Sequence, residues 1–359
     1  MTHSSKQSRF QRWLALGIAI ASLATVTVVA NRAVVTRAAE QISLTGAGAT
    51  FPQPLYEKWF AEYHRLYPNV KINYQGIGSG GGIRSITEKI VDFGASDAPL
   101  TDEQLAAAPG KLLHIPTVAG AVVVIYNLPG LENARLRLAP DVLADIFLGK
   151  INMWNHPRIA ALNPGIKLPA LPISVVHRSD GSGTTNIFTS YLKTVSPEWA
   201  ARVGAGTSVK WPVEAAAGKG NPGVAGQVKQ IPGAIGYVEL AYAHQNKLPF
   251  ALLRNRAGKF VDATLETTKA AMAGAAAEMP DDFRVMIVNA PGEDAYPIAG
   301  FTWLLVYQKQ SDPVKGKALV QMIEWALKNG DKMAEELDYV PLPDNVQEKV
   351  LATLRSIQY

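Results

Sequence analysis

"ISVVHRSDGSGTTNIFTSYLKTV", residues 173–195, sets a short apolar strand, a glycine-rich turn and a helix in direct succession. The strand is "ISVVH", the turn "RSDGSG" and the helix "TTNIFTSYLKTV". The same plan occurs twice earlier in the chain. "ISL" leads into "TGAGATFPQP" and then into "LYEKWFAEYHRLY", where Leu55, Tyr56, Trp59, Phe60, Tyr63 and Leu66 recur at helical spacing and Pro68 follows. "VKINYQ", with Val70, Ile72 and Tyr74 alternating, leads into "GIGSGGG" and "IRSITEKI". Strand, loop and helix in this order build α/β layers with their loops at the C-terminal ends of the strands. The helix N-termini there present free backbone N–H groups and the positive end of the helix dipole, a setting suited to an anion.

The rest of the chain extends the α/β pattern. "VDFGASD" (91–97) supplies a further strand end, and "AGAVVVIYN", "GAIGYVEL", "FRVMIVNA" and "FTWLLVYQ" are apolar segments that fit the same class. "KALVQMIEWALKNG" is an amphipathic helix for which Gly330 is the expected C-terminal cap. The Pro- and Gly-rich stretch 204–233 is expected to be a long irregular surface excursion. No internal repeat or low-complexity tail is present.

At 359 residues, with 48% apolar and 18% charged residues, the chain is long enough for two domains with real cores and is globular in composition. The formal charge of +5 is a property of the N-terminus. Lys6, Arg9, Arg12, Arg32 and Arg37 lie within residues 1–39, which contain no acidic residue; taking those five from 35 basic residues leaves 30, against 30 acidic. A neutral body argues against nucleic acid as a partner. The N-terminus itself has the form of a secretory signal: a basic start followed by the 18-residue uncharged run "WLALGIAIASLATVTVVA" and small residues. Cleavage after Ala30, with Val28 upstream, and cleavage after Ala38, with Thr36 upstream, both fit. An uncleaved anchor is the alternative, since 18 residues is borderline for a span and Arg32 and Arg37 follow the run. No cysteine occurs, which excludes disulfides, thiolate metal sites, a cysteine nucleophile and a lipidated cysteine.

The loops carry the chemistry. Glycine-rich turns alone are weak signals, because most such glycines serve the backbone. Three turns that each bring a hydroxyl to a helix start are a stronger one. Thr50, Ser79, Ser182 and Thr184 can donate through hydroxyls, and Phe51, Ser79, Gly183 and Thr184 through backbone amides. None of the turns has the Gly-Lys-hydroxyl ending of a nucleotide-binding loop, and "GIGSGG" misplaces the glycines of a dinucleotide fingerprint. A small anion fits better than a cofactor. Arg178 has the planar fork suited to a tetrahedral oxyanion, or is a surface arginine at a strand end. Asp180 either makes an Asp-Gly turn or holds the Arg178 guanidinium in place. Asp97 has two readings also. Before Pro99 and "LTDEQL" it can be a turn or cap residue. Alternatively it is an acceptor among donors: an ionised carboxylate accepts a hydrogen bond from the P–OH of hydrogen phosphate and repels sulfate, which has no proton at neutral pH.

Taken together, "SLTGAGATFPQPLYEKWF", "NYQGIGSGGG", "VDFGASDAPL", "VVHRSDGSGTTNIFTSYL", "KWP", "PGAIGYVELAYA" and "GEDAYPI" resemble the PstS family, the phosphate-binding proteins of high-affinity phosphate ABC transporters. The likeness runs from about residue 42 to the C-terminus. It implies a two-lobed periplasmic-binding-protein fold of α/β class, with a ligand cleft between lobes joined by hinge crossovers. The first lobe would comprise about 41–118 and 300–359, the second about 119–299. It implies phosphate contacts at Thr50, Phe51, Ser79, Asp97, Arg178, Ser182, Gly183 and Thr184, with Asp180 bracing Arg178. It implies a monomeric periplasmic protein without cofactor, metal or nucleic acid, serving the permease and ATPase subunits of the transporter. Two departures are visible. The chain has Gly78-Ser79-Gly80-Gly81-Gly82 where members often have G-S-S-G-G, and His177 stands where some have arginine.

An exported phosphatase or phosphotransferase using the same anion site is the alternative function. The chain has no cysteine, and His64, His114, His156, His177 and His244 show no metal-ligand spacing, so a serine–histidine pairing across the fold is the form an enzyme would take. A structural or adhesive surface protein would explain export but not the three loops.

Overall fold

The computed structural model describes residues 41–359, so the secretory signal expected over residues 1–39 lies outside the described residues. The strands are β1 (Ile42–Gly48), β2 (Val70–Gly76), β3 (Phe93–Ser96), β4 (Leu112–Tyr126), β5 (Arg137–Leu138), β6 (Ser174–Arg178), β7 (Ala216–Gly218), β8 (Ala234–Glu239), β9 (Leu252–Arg254), β10 (Phe260–Val261), β11 (Ala299–Tyr307) and β12 (Val340–Pro341). Nine of them form one sheet in the order β2-β1-β3-β11-β4-β8-β6-β7, with β12 added against β4; β10, β9 and β5 form a small second sheet.

At one end of the large sheet β1 runs parallel to both β2 and β3. At the other, β6 runs parallel to both β7 and β8. The three strand–loop–helix units therefore sit on parallel strands, and their loops leave from C-terminal strand ends. Between the two parallel ends lie antiparallel strands, and β4 joins them. Leu112 to Ala121 pair with β11, whereas Val122 to Tyr126 pair with β8. One long strand thus belongs to both halves, which is why its sequence is a nearly unbroken apolar run buried along its length. The β11–β4 ladder shifts register between Thr302 and Trp303, opposite Pro116. A proline cannot donate to the ladder, and the irregularity sits where one is found.

Helices follow from the apolar spacing. In the helix Gln53–Leu66 the residues Leu55, Tyr56, Trp59, Phe60 and Tyr63 are buried, whereas Leu66 is 45% exposed. The helix Gly183–Val195 is capped by Ser182, whose Oγ accepts from Thr185 N, and buries Ile187, Phe188, Tyr191 and Leu192.

Three expectations are corrected. The stretch 204–233 is not one irregular excursion: it contains β7 and the helix Gly220–Gln230, which buries Asn221, Val224, Ala225 and Val228. "FRVMIVNA" forms no strand, because Phe283 and Asn289 both adopt left-handed backbone conformations, φ 59° and 52°. The second helix begins at Ser79, inside the glycine run. Helical glycine costs roughly 1 kcal/mol, but a Cβ on Gly82 would lie 2.5 Å from Gly48 Cα, so bare backbone is needed for the two loops to meet. Gly330 caps the helix Pro313–Asn329 as expected, with φ −91°. Its need for glycine is contact: Trp59 Nε1 donates to Gly330 O at 3.1 Å, and a Cβ there would sit 2.4 Å from that nitrogen.

Candidate functional site

The loops after β1, β2, β3 and β6 converge. Thr50, Phe51, Ser79, Asp97, Arg178, Ser182 and Thr184 are all buried, from 0% to 5% exposed. Ser79 Oγ accepts from the amide of Gly183 at 3.0 Å and from the amide of Asp97 at 3.1 Å, and lies 3.4 Å from Asp97 Oδ2. One hydroxyl thereby ties the β2, β3 and β6 loops together. The approach is close enough that a Cβ on Gly183 would fall 2.5 Å from Ser79 Oγ and 2.6 Å from Asp97 Oδ2. Nearby, Gly80 N donates to Gly181 O at 3.0 Å.

Arg178, at the end of β6, is held by Asp180. Nε donates to Oδ1 at 2.8 Å and Nη2 to Oδ2 at 2.5 Å, while Nη1 donates to Thr184 Oγ1 at 3.3 Å. Gly220 N donates to Asp180 Oδ1 at 2.9 Å. Burial pushes the Asp180 carboxyl up, but the hydrogen bonds and charge of Arg178, with the Gly220 amide, outweigh it and leave the group below its ordinary value. Asp180 is therefore an ionised brace.

Asp97 is in the opposite situation. Burial pushes its carboxyl up to about 7, against the opposing hydrogen bond from Thr302 and the attraction of Arg178. Thr302 Oγ1 donates to Asp97 Oδ1 at 2.8 Å, from the point where the β11–β4 register shifts. Ser182 is tied into its own segment, its Oγ accepting from Thr185 N and its amide donating to Thr207 O.

Several residues that complete the site escaped the sequence reading. Asn221 is fully buried, and its Nδ2 donates to Thr50 Oγ1 at 2.8 Å and to Thr184 Oγ1 at 3.1 Å. Its backbone N–H also reaches Thr50 Oγ1, at 3.0 Å, and its Oδ1 accepts from Glu239 N at 2.9 Å, which fixes the direction of the amide. Behind the first loop, Tyr242 donates to Thr50 O at 2.5 Å and Tyr339 to Phe51 O at 2.6 Å. His177 stacks on Trp211 at 4.9 Å, so the "KWP" segment packs beside the strand that carries Arg178. Among the described residues no His, Asp and Glu side chains group as a metal-ligand set.

Chemically, the arrangement is a ring of donors with one acceptor. The donors are the hydroxyls of Thr50, Ser79, Ser182 and Thr184, one guanidinium, and the Ser79 and Thr184 amides at the N-termini of the helices Ser79–Thr87 and Gly183–Val195, the Gly80, Gly183 and Thr185 amides being engaged within the protein. The acceptor is Asp97. Such a set suits a small oxyanion that carries a proton.

Comparison with known proteins agrees in kind. Residues 33–329 match the PBP superfamily domain. The chain is 47% identical over 313 residues to the phosphate-binding protein PstS of Xylella fastidiosa, covering 87% of this chain and 85% of that one. It is 48% identical over 310 residues to that of Pasteurella multocida, covering 86% and 89%. For that of Methanocaldococcus jannaschii the identity is 44%, covering 88% and 87%. Among solved structures, a high-affinity periplasmic phosphate-binding protein bound with phosphate superposes with a TM-score of 0.70 at 24% identity, covering 87% and 93%. A phosphate-bound substrate-binding protein from Clostridium perfringens gives 0.61 at 19% identity, covering 84% and 100%; both show the fold.

Proposed function

The chain belongs to the PstS family of phosphate-binding proteins, and on that premise we propose that it is an extracytoplasmic solute-binding protein that captures inorganic phosphate and delivers it to an ABC transporter permease. The observation that carries this reading is the single acceptor, Asp97, set among converging donors beside the braced Arg178. Sulfate and hydrogen phosphate are alike in shape and charge; the P–OH proton separates them, and only an acceptor can read it.

Phosphate would be held by Thr50, Phe51, Ser79, Asp97, Arg178, Ser182, Gly183 and Thr184. In this reading residues 41–118 with 300–359 form one lobe, residues 119–299 form the other, and phosphate bridges the two as the hinge closes. The proposed boundaries, 118/119 and 299/300, fall within β4 and at the start of β11, which makes these strands the natural hinge crossovers. The periplasm is the proposed location, with the transporter's permease and ATPase subunits as partners and the monomer as the working unit. Among the described residues no helix is long and apolar enough to cross a membrane. The relatives bear the names of binding proteins, and we read the role of this chain likewise as capture rather than turnover.

Isothermal titration with phosphate and then with sulfate tests the function directly. One tight phosphate site and no heat with sulfate is the expected result. Phosphate at a hundredfold excess over its dissociation constant should also add ~2.7 kcal/mol of stability. An unshifted melting curve in saturating phosphate would reject the reading.

A further inference from the structure

Glu239 ends β8 beneath the site and is fully buried. Its Oε2 is 2.9 Å from Tyr339 Oη and 2.9 Å from the amide of Ala241. Tyr339 Oη is in turn 2.6 Å from Phe51 O. A carbonyl oxygen and a phenol oxygen at 2.6 Å need a proton between them, and so do a phenol oxygen and a carboxyl oxygen at 2.9 Å. Tyr339 owns one proton, and Phe51 O owns none. The second must come from Glu239. The other carboxyl oxygen, Oε1, has no hydrogen-bond partner among the described residues. A bare carboxylate oxygen there would be very costly, whereas the carbonyl oxygen of a neutral acid is tolerable.

We infer that Glu239 is a protonated positioning residue: its O–H donates to Tyr339, whose O–H donates to the carbonyl of Phe51, so that a two-step relay holds the first anion-binding loop in place. This rests on the phosphate reading of that loop. Burial, the largest influence on the carboxyl, pushes it well above the usual carboxylate range, and Asp338 adds to this. The titratable groups nearby are Tyr339, Tyr242 and Asp338, of which Asp338 pairs with His244 at 2.7 Å. The same residue serves the loop a second way. The Glu239 backbone N–H fixes Asn221, which in turn donates to Thr50 and Thr184. Residue 239 thus reaches Phe51 through its side chain and Thr50 through its backbone. By the proposed lobe division Glu239 and Phe51 lie in different lobes, so the relay favours the closed form.

The test is infrared spectroscopy of the phosphate-free chain at neutral pH. A carbonyl stretch of a buried protonated carboxyl, moved by D₂O, should vanish in Glu239→Gln; the difference spectrum separates it from any band of Asp97. In Tyr339→Phe the band should persist at higher frequency, because the hydrogen bond to Tyr339 is gone, and phosphate affinity should fall at least ~5-fold. If Glu239→Gln does not fold, the band and its shift in Tyr339→Phe still decide the matter. A spectrum without the band, a band indifferent to Tyr339→Phe, or unchanged phosphate affinity in that variant overturns the relay. The band is read without phosphate, so a wild type that shows it and binds no phosphate overturns the functional reading instead.

Discussion

Asp97→Asn separates the cost of an ionised carboxylate from its use. The wild-type carboxyl is raised from 3.8 to about 7 by burial. A raised folded value means the folded chain holds the proton more tightly than the unfolded one. The stability linked to Asp97 is therefore fully present below about pH 4 and is lost as the pH rises through about 7. A rise from 3.8 to about 7 puts the loss at ~4 kcal/mol. Without ligand, wild-type melting temperature should fall between pH 5 and pH 8 by more than that of the Asn variant. Ligand choice should move with the same proton. Hydrogen phosphate brings its own proton to an ionised Asp97, whereas sulfate brings none and meets two lone-pair-bearing oxygens. In the variant an amide N–H can face sulfate, recovering ~1.5–3 kcal/mol, so the phosphate-to-sulfate ratio should fall tenfold or more. Sulfate binding to wild type should also rise below pH 7, where Asp97 becomes a donor, while in the variant it should be flat. The assay is competition by sulfate against labelled phosphate at pH 5.5 and pH 8, wild type beside variant. A variant that excludes sulfate at pH 8 as strictly as wild type would make Asp97 a structural residue and refute the reasoning.

Three further outcomes are expected. Arg178→Lys keeps the charge but cannot span both Asp180 oxygens and Thr184, so titration should show phosphate affinity lowered ~10–150-fold. Gly183→Ala sets a methyl 2.5 Å from Ser79 Oγ and 2.6 Å from Asp97 Oδ2; overpacking of ~1–3 kcal/mol should weaken phosphate binding ~5–150-fold with little change in secondary structure by circular dichroism. Asn221→Ala removes the donor shared by Thr50 and Thr184, and a fall of ~5–30-fold in affinity by titration is expected, with unchanged binding placing Asn221 outside the site's working geometry.

The parts of the site legible in the sequence are those built from local pattern. Ser79, Arg178 and Thr184 stand at junctions between a strand and a helix, where glycine, hydroxyl and apolar spacing identify the geometry before any tertiary contact is known. Thr302 was illegible for the converse reason. It lies inside "FTWLLVYQ", where every signal is that of a buried strand, and it reaches Asp97 only through a pairing 205 residues apart. Asn221 sits in "GKGNPGV", whose glycines and proline imitate a loop, although packing of Val224, Ala225 and Val228 makes it a helix. "FRVMIVNA" erred the other way: an apolar run reads as a strand, and no local feature announces left-handed backbone at Phe283 and Asn289. Glu239 was visible only as the polar end of "GAIGYVEL"; its role depends on Tyr339, which is 100 residues away.

In the proposed site, the buried Asp97 and Glu239 and the half-buried Asp180 would explain how a body with as many acidic as basic residues holds a multiply charged anion. Asp180 stays ionised because it spends its charge on Arg178, taking Nε and one N–H of Nη2. With Thr184 on Nη1, one N–H remains on each terminal nitrogen, so the guanidinium is aimed while its charge is largely cancelled. Glu239 is neutral by the proton count, and Asp97 is poised near neutrality. The anion then meets mainly fixed dipoles, hydroxyls and helix-start amides, rather than free charge. Dipoles of this kind are already oriented and lose little on binding, and they are barely screened by salt when buried. On the proposed reading they would also release the ligand as the lobes part, because each hydroxyl and amide exposed by opening finds water at once, whereas a bare arginine would keep its hold on phosphate. A transport protein has to let go, and on that reading cancelling Arg178 with Asp180 would reconcile close geometric recognition with release.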